Sequence, residues 1–117
     1  MKETPHGWVI VKISDLHVDE NPPIYKVFAS WRGGYLDGNT WKINSGIKHV
    51  EETDTHFIFH GYSGSEYHCD KIYYGHCTGY AGMVLHGMVE RASKHGYLME
   101  ELPHDYDFKI IGNENVI

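Results

Sequence analysis

The segment Thr55–Tyr74, THFIFHGYSGSEYHCDKIYY, decides the fold class of this chain. Before the turn-forming run Gly61–Ser65, Phe57 and Phe59 alternate with His56, Ile58 and His60. After it, one face of a second strand would carry Tyr67, Cys69, Lys71 and Tyr73, as in an antiparallel hairpin. After Gly75 the apolar residues recur every three or four positions instead, which is typical of a helix. Several strands followed by a helix predict the α+β class.

One helix is predicted in the C-terminal half of the chain, with Thr78 as its N-cap. Its apolar residues form a stripe wide enough to pack on a sheet. The stripe consists of Ala81, Val84, Leu85, Met88, Val89 and Ala92. Lys94-His95-Gly96 then supplies a cationic last turn and a C′ glycine, both typical of a helix end.

Further strands are predicted around the hairpin from β-rich runs bounded by turn residues. The predicted strands are Trp8–Ile13, Ile24–Trp31, Trp41–Glu51, Thr55–Tyr62, Glu66–Tyr74 and the short final Tyr106–Ile111. We expect residues 1–117 to form a single domain. Its fold is expected to be a bent antiparallel β-sheet or small open barrel of about five or six strands, with the helix packed on it.

The charge of the chain argues against direct nucleic-acid binding. Ten Lys and Arg stand against sixteen Asp and Glu, a formal net charge of −6, and the basic residues are scattered. No basic stripe is present to neutralise phosphates. The sequence also lacks an apolar run of the roughly 20 residues that span a bilayer, and it lacks a secretory signal. We expect a cytoplasmic protein without a membrane partner.

Four of the ten histidines and both cysteines lie in segment 55–78. Their spacing argues against a native metal site, because His56 and His60 would be about 13 Å apart on one strand. A shared ion would need one of them and a neighbour across the hairpin, such as His68 or Cys69. We therefore predict no metal and no cofactor.

No catalytic residues are predicted either. The serines beside glycine form no Gly-x-Ser-x-Gly elbow and no phosphate-binding loop. Cys69 and Cys77 form no Cys-x-x-Cys pair, so reduced structural thiols are expected. Ile13–Val18 resembles the first motif of calcineurin-like metallophosphoesterases, which implies that Asp15 and His17 ligate metal. The later motifs of that family are absent from the sequence, and a hairpin loop is the simpler interpretation.

The remaining candidate is a recognition surface on two glycine-rich turns. Rigid aromatic anchors beside short hydrogen-bonding residues are the combination that interfaces use. The candidate binding residues are Trp31, Tyr35, Asp37, Asn39, Trp41, Asn44, Tyr62, Ser63, Ser65 and Tyr67. The alternative is that several of these aromatic residues belong to the core.

Four segments of the chain resemble a group of small accessory proteins of tailed bacteriophages and prophages. They are His6–Ile13, Tyr25–Phe28, Trp31–Ile47 and Gly61–Cys69. No activity and no catalytic residues come with that group. The resemblance implies a protein of the host cytoplasm that binds and inhibits a host factor or counters a defence system.

We therefore expect a non-enzymatic, phage-type binding protein that inhibits or sequesters a host protein through its aromatic, glycine-rich loops. The alternative, from another functional class, is a small-ligand-binding or metal-assisted hydrolytic domain that uses the histidine-rich hairpin 56–77. The sequence leaves open whether the chain also forms a homo-oligomer.

Overall fold

The computed structural model describes residues 2–18, 20–32, 40–77 and 79–112. The strands in these residues are β1 (Lys2–Glu3), β2 (Gly7–Asp15), β3 (Ile24–Trp31), β4 (Thr40–Ile43), β5 (Ile47–Glu52), β6 (His56–Gly61), β7 (Glu66–Asp70) and β8 (Tyr97–Glu101). The helix α1 spans Gly79–Lys94, and short 3₁₀ helices span Lys71–Tyr73 and Phe108–Ile110. Within the described ranges, no helix has the length and apolarity needed to cross a membrane.

The described strands form two sheets of four strands each, so the predicted single sheet or barrel was wrong. Sheet A has the order β1-β7-β6-β5, and sheet B has the order β4-β3-β2-β8. Neighbouring strands are antiparallel except β1 and β7, which are parallel. The α+β class is confirmed. The strand count and arrangement differ because the periodicity of a strand does not say which sheet it joins.

Sheet B is the middle of three layers, with sheet A on one face and α1 on the other. The cluster between the sheets contains Trp8, Ile10, Tyr25, Val27, Ala29, Ile47, Val50, Phe59, Tyr67, Cys69, Leu102, Phe108 and Ile111. The cluster under the helix contains Val9, Val11, Phe28, Ala81, Leu85 and Met99. Because β2 is covered on both faces, it is buried at every position from Gly7 to Val11.

The predicted helix and its predicted face are confirmed. Ala81 and Leu85 are buried, and the other four residues of the stripe pack half-buried against the same cluster. Gly96 ends the helix with φ +83°, the left-handed conformation of a C′ glycine. The predicted N-cap, Thr78, lies outside the described residues.

Two predicted strands end earlier than expected. The predicted strand Trp41–Glu51 is interrupted at 44–46, so β4 joins sheet B while β5 joins sheet A. The predicted strand Glu66–Tyr74 stops at Asp70. Its carboxylate Oδ1 accepts a hydrogen bond from the backbone N–H of Ile72 at 3.1 Å and so caps the first 3₁₀ helix.

The predicted final strand Tyr106–Ile111 was also wrong. Phe108 and Ile111 are both buried between the sheets, and their separation of three residues matches one turn of the second 3₁₀ helix. The strand β8, which was not predicted, pairs with β2 at the edge of sheet B. Among its five residues only Met99 is buried, so β8 shows little of the apolar alternation of a strand.

Replacing Leu85 by Ala should lower the free energy of unfolding by about 2–5 kcal/mol, because it opens a cavity between α1 and sheet B. Leu85 is 4% exposed, whereas Met83 on the solvent side of the helix is 73% exposed. Met83→Ala is the matched control and should stay within about 0.5 kcal/mol of the parent. Urea unfolding measures both variants. A Leu85→Ala protein as stable as the parent would show that the helix is packed differently.

Candidate functional site

The structure does not bring the seven described members of the predicted recognition set together on one surface. Tyr35, Asp37 and Asn39 lie outside the described residues. Of the other seven, Tyr62 and Ser63 are exposed. The half-buried ones are Trp31, Trp41 and Ser65, and the buried ones are Asn44 and Tyr67.

Asn44 is part of the protein interior, where it connects β3 to the β4–β5 junction. Its side-chain Oδ1 accepts a hydrogen bond from the backbone N–H of Val27 at 2.9 Å, and its own N–H donates to the Val27 carbonyl at 3.1 Å. Its Nδ2 donates to the carbonyl of Gly46 at 3.4 Å. These bonds satisfy backbone groups inside the core, so the Asn44 side chain is not available to a partner.

Tyr67 is also interior, because it is 4% exposed and belongs to the cluster between the sheets. Burial raises the pKa of its phenol. In the sequence Tyr67 lies next to a glycine-rich turn, and proximity to a turn does not show which face of the strand a side chain occupies. Tyr67 is therefore an aromatic residue of the core, which was the alternative to a place on the recognition surface.

Trp31 and Trp41 are both half-buried at one end of sheet B. Trp31 donates a hydrogen bond from Nε1 to the carbonyl of Thr4 at 3.1 Å, and Nζ of Lys42 lies 5.9 Å from its ring. Trp41 stacks on Phe28 with ring centroids 5.7 Å apart. Their exposed edges line a shallow cavity of about 240 Å³. The hydrogen bond, the cation–π contact and the ring stacking of these two tryptophans are thus all made within the protein.

Tyr62 differs from the other candidates, because it is 69% exposed beside a cavity of about 320 Å³. The cavity, here called the Tyr62 groove, is lined by Pro22, Pro23, Ile24, Tyr25, Ile47, Tyr62, Ile111 and Gly112. None of these lining residues carries a formal charge. The groove is formed by four segments that are distant in the sequence, which is why sequence reasoning identified only Tyr62 among them.

The turn that carries Tyr62 is fixed to the β4–β5 junction. The backbone N–H of Tyr62 donates to the carbonyl of Gly46 at 3.2 Å, and that of Ser63 donates to Oγ of Ser45 at 3.1 Å. Gly46 has φ +134°, and a Cβ at this position would lie 3.2 Å from the Tyr62 ring. The ring therefore rests directly on the backbone of Gly46, which holds it in place while one side stays in solvent.

A second surface, which is polar, lies on the side of sheet A that faces away from sheet B. It contains four histidines and three carboxylates, and we call it the outer histidine face. Its titratable members are His49, Glu51, His56, His60, Glu66, His68 and Asp70. They share one face because Val50, Phe59, Tyr67 and Cys69, at alternate positions of the same strands, point into the core.

Every histidine of the outer histidine face lies near a carboxylate. Nε2 of His68 is 3.1 Å from Glu66, and Nε2 of His56 is 4.0 Å from Asp70. The hydrogen bond between His68 and Glu66 is the main cause that lowers the pKa of Glu66. On β5 and β6, Oε1 of Glu51 lies close to Nε2 of both His49 and His60. His68 and Cys69 were the predicted neighbours with which His56 or His60 would have to share an ion, but Cys69 is in the core.

The cysteines and the Asp-x-His motif, two further candidates for chemistry, take part in the packing and turns of the fold. Burial raises the pKa of the Cys69 thiol well above its ordinary value and also raises that of Cys77. Both groups are therefore poor nucleophiles at neutral pH. Asp15 Oδ1 accepts a hydrogen bond from the backbone N–H of His17 at 2.9 Å, and its Oδ2 accepts one from Asn21 at 3.2 Å. That arrangement is an Asx turn within the β2–β3 loop.

No protein-family model, no curated protein and no solved structure matches this chain. The resemblance to phage accessory proteins therefore stays a prediction. A function has to be inferred from the two surfaces, the Tyr62 groove and the outer histidine face.

Replacing Asn44 by Ala should lower the free energy of unfolding by about 1–3 kcal/mol, because the buried N–H of Val27 loses its acceptor. Asn21→Ala is the matched control. Asn21 is exposed and its side chain donates a hydrogen bond to the exposed Asp15 in the loop, so that change should stay within about 0.5 kcal/mol of the parent. Urea unfolding compares the two variants. Equal stability of both would mean that the Asn44 amide does not join the strands.

Proposed function

We propose that this chain is a non-enzymatic binding protein that recognises an apolar, uncharged segment of a partner protein at the Tyr62 groove. The observation that supports this most directly is the exposed, fixed ring of Tyr62 beside a cavity of about 320 Å³. Tyr and Trp side chains dominate the binding energy of many interfaces, because a large ring is buried at a low cost in conformational entropy.

The support of the turn matters for affinity. An anchor that must first be ordered loses binding free energy to that ordering, whereas an anchor already held in place does not. Tyr62 is held by the hydrogen bond to Gly46 and by the contact of its ring with that glycine. The neighbouring bond from Ser63 to Ser45 fixes the other side of the turn. The anchor is thus ordered before a partner arrives.

The chemistry of the groove indicates the kind of segment that fits it. Ile24 is 52% exposed on the groove, next to Pro22 and Pro23, whose rings restrict the backbone. Exposed apolar residues grouped in this way mark interaction sites more often than single ones do. Since none of the described lining residues carries a charged side chain, a charged segment would lose its hydration without gaining a partner among them.

The same lining favours binding over catalysis. Its residues include no carboxylate, imidazole or thiol that could act as a base or nucleophile on a bound segment. The resemblance to phage accessory proteins would make the partner a host protein and the result an inhibition. This identity of the partner is a prediction from the resemblance alone, as is the cytoplasm of a host as the location.

Peptides selected from a displayed random library on the immobilised protein should be rich in apolar and aromatic residues. Calorimetry should then show that Tyr62→Ala weakens their binding by at least about tenfold, or about 1.4 kcal/mol. Tyr80 is 58% exposed on the helix, so Tyr80→Ala is the matched control and should bind like the parent. Unfolding curves confirm that each variant is folded.

Two results would contradict this function. One is that no peptide is enriched over a blank surface. The other is that the enriched peptides bind Tyr62→Ala and Ile24→Ala as tightly as they bind the parent, because the recognition surface would then lie elsewhere.

A further inference from the structure

Three side chains of the outer histidine face converge at the edge of sheet A. Their ligand atoms, one each from His49, Glu51 and His60, all lie within 4.8 Å of one another. Oε1 of Glu51 is 3.3 Å from Nε2 of His60 and 3.8 Å from Nε2 of His49. Two imidazoles and a carboxylate at such distances are a typical ligand set for a transition-metal ion.

An irregularity in β5 creates this arrangement. The register between β5 and β6 shifts between Ile47 and His49, as in a β-bulge, and His49 thereby becomes the partner of His60. In a regular strand Ile47 and Val50 would point to opposite faces, yet both are buried in the core. The extra residue lets Ile47 reach the core although His49 and Glu51, two residues apart on one face, lie on the outer side, and it places His49 opposite His60. Bulges commonly redirect side chains next to functional sites.

His60 lacks a hydrogen bond that it should have. Its Nε2 is buried, and within the described ranges it has no partner in hydrogen-bonding geometry, although Glu51 is near. A buried polar atom without a partner costs stability, because it has lost water and gained nothing in return. Coordination of a cation by this nitrogen would remove that cost.

We propose that His49, Glu51 and His60 form a binding site for a divalent transition-metal ion of the zinc class. Nε2 of each histidine and one carboxylate oxygen would be the ligands, at about 2.0–2.2 Å from the ion. Nitrogen ligands favour zinc, copper or nickel over calcium or magnesium, which prefer oxygen. Three protein ligands leave a fourth position open for water or for a group of a partner.

Binding requires a small movement of the two rings. His49 and His60 are stacked with centroids 4.1 Å apart and planes 7° apart, so their in-plane lone pairs lie in two separate, nearly parallel planes. To meet at one ion the rings must tilt so that the lone pairs converge. His49 can make most of this movement, because its side chain is 46% exposed on an edge strand.

This site is separate from the Tyr62 groove, because none of the three ligands lines the groove. It also replaces the expectation of no metal site, which rested on the spacing of His56 and His60. His56 contacts Asp70 and Thr55 and is not a member of the cluster.

Zinc binding to the protein without a polyhistidine tag, after dialysis against a chelator, tests the site by calorimetry. The parent should bind one Zn²⁺ per chain. His49→Ala, His60→Gln and Glu51→Gln should each weaken binding by at least about tenfold, since each removes one of three ligands. His56→Gln and His68→Gln, which alter the same face outside the cluster, are the matched controls and should bind within about twofold of the parent.

Absorption of bound Co²⁺ gives a second measurement, because its visible bands report the number and type of ligands and should change in the three cluster variants alone. Circular dichroism shows whether each variant is folded. Should His60→Gln fail to fold, His49→Ala decides, since its side chain is largely at the surface. The proposal is overturned if the parent binds no stoichiometric zinc, or if the control variants lose as much affinity as the cluster variants.

Discussion

The structure depends on the burial of Trp8, which joins the two sheets. Trp8 belongs to β2 of sheet B and is 0% exposed. Its ring contacts Phe59 of sheet A and, near the ends of the sheets, Tyr74 and Phe108, with centroids 5.4, 4.7 and 5.7 Å away. Its Nε1 donates a hydrogen bond to the carbonyl of Asp70 at 2.7 Å, which satisfies the one polar atom of the ring. A single side chain thus fixes β2, β6, the end of β7 and the second 3₁₀ helix relative to one another.

The position of sheet B between two layers decides where function can lie. Both faces of sheet B are used for packing, so polar side chains collect on the outer face of sheet A, and partly exposed apolar ones collect where the connecting loops meet. The Tyr62 groove is of the second kind and the cluster of His49, Glu51 and His60 is of the first. Since the two surfaces share no residue, the proposed recognition of a partner and the proposed binding of a metal can be tested separately by mutation.

Local patterns predicted the elements whose period is long or whose punctuation is strong. The stripe Ala81–Ala92 repeats over three turns and ends at Gly96, and both the helix and its buried face are confirmed. The strand Ile24–Trp31 has the predicted bounds. The interpretation failed for Tyr106–Ile111, because in six residues an alternation cannot be told from a spacing of three. It also failed for Tyr97–Glu101, an edge strand with a single buried residue.

The α+β class, the helix, the central hairpin and the position of Tyr62 at an exposed turn could be predicted from the sequence, because each is specified by neighbouring residues. Three features became visible only in the folded chain: the strands divide between two sheets, Asn44 and Tyr67 are interior, and His49 meets His60. These outcomes depend on pairing between segments that are not adjacent along the chain. The bulge in β5 illustrates the reason: Ile47 and Val50 both reach the core, and that requirement of packing, which no local pattern expresses, places His49 opposite His60.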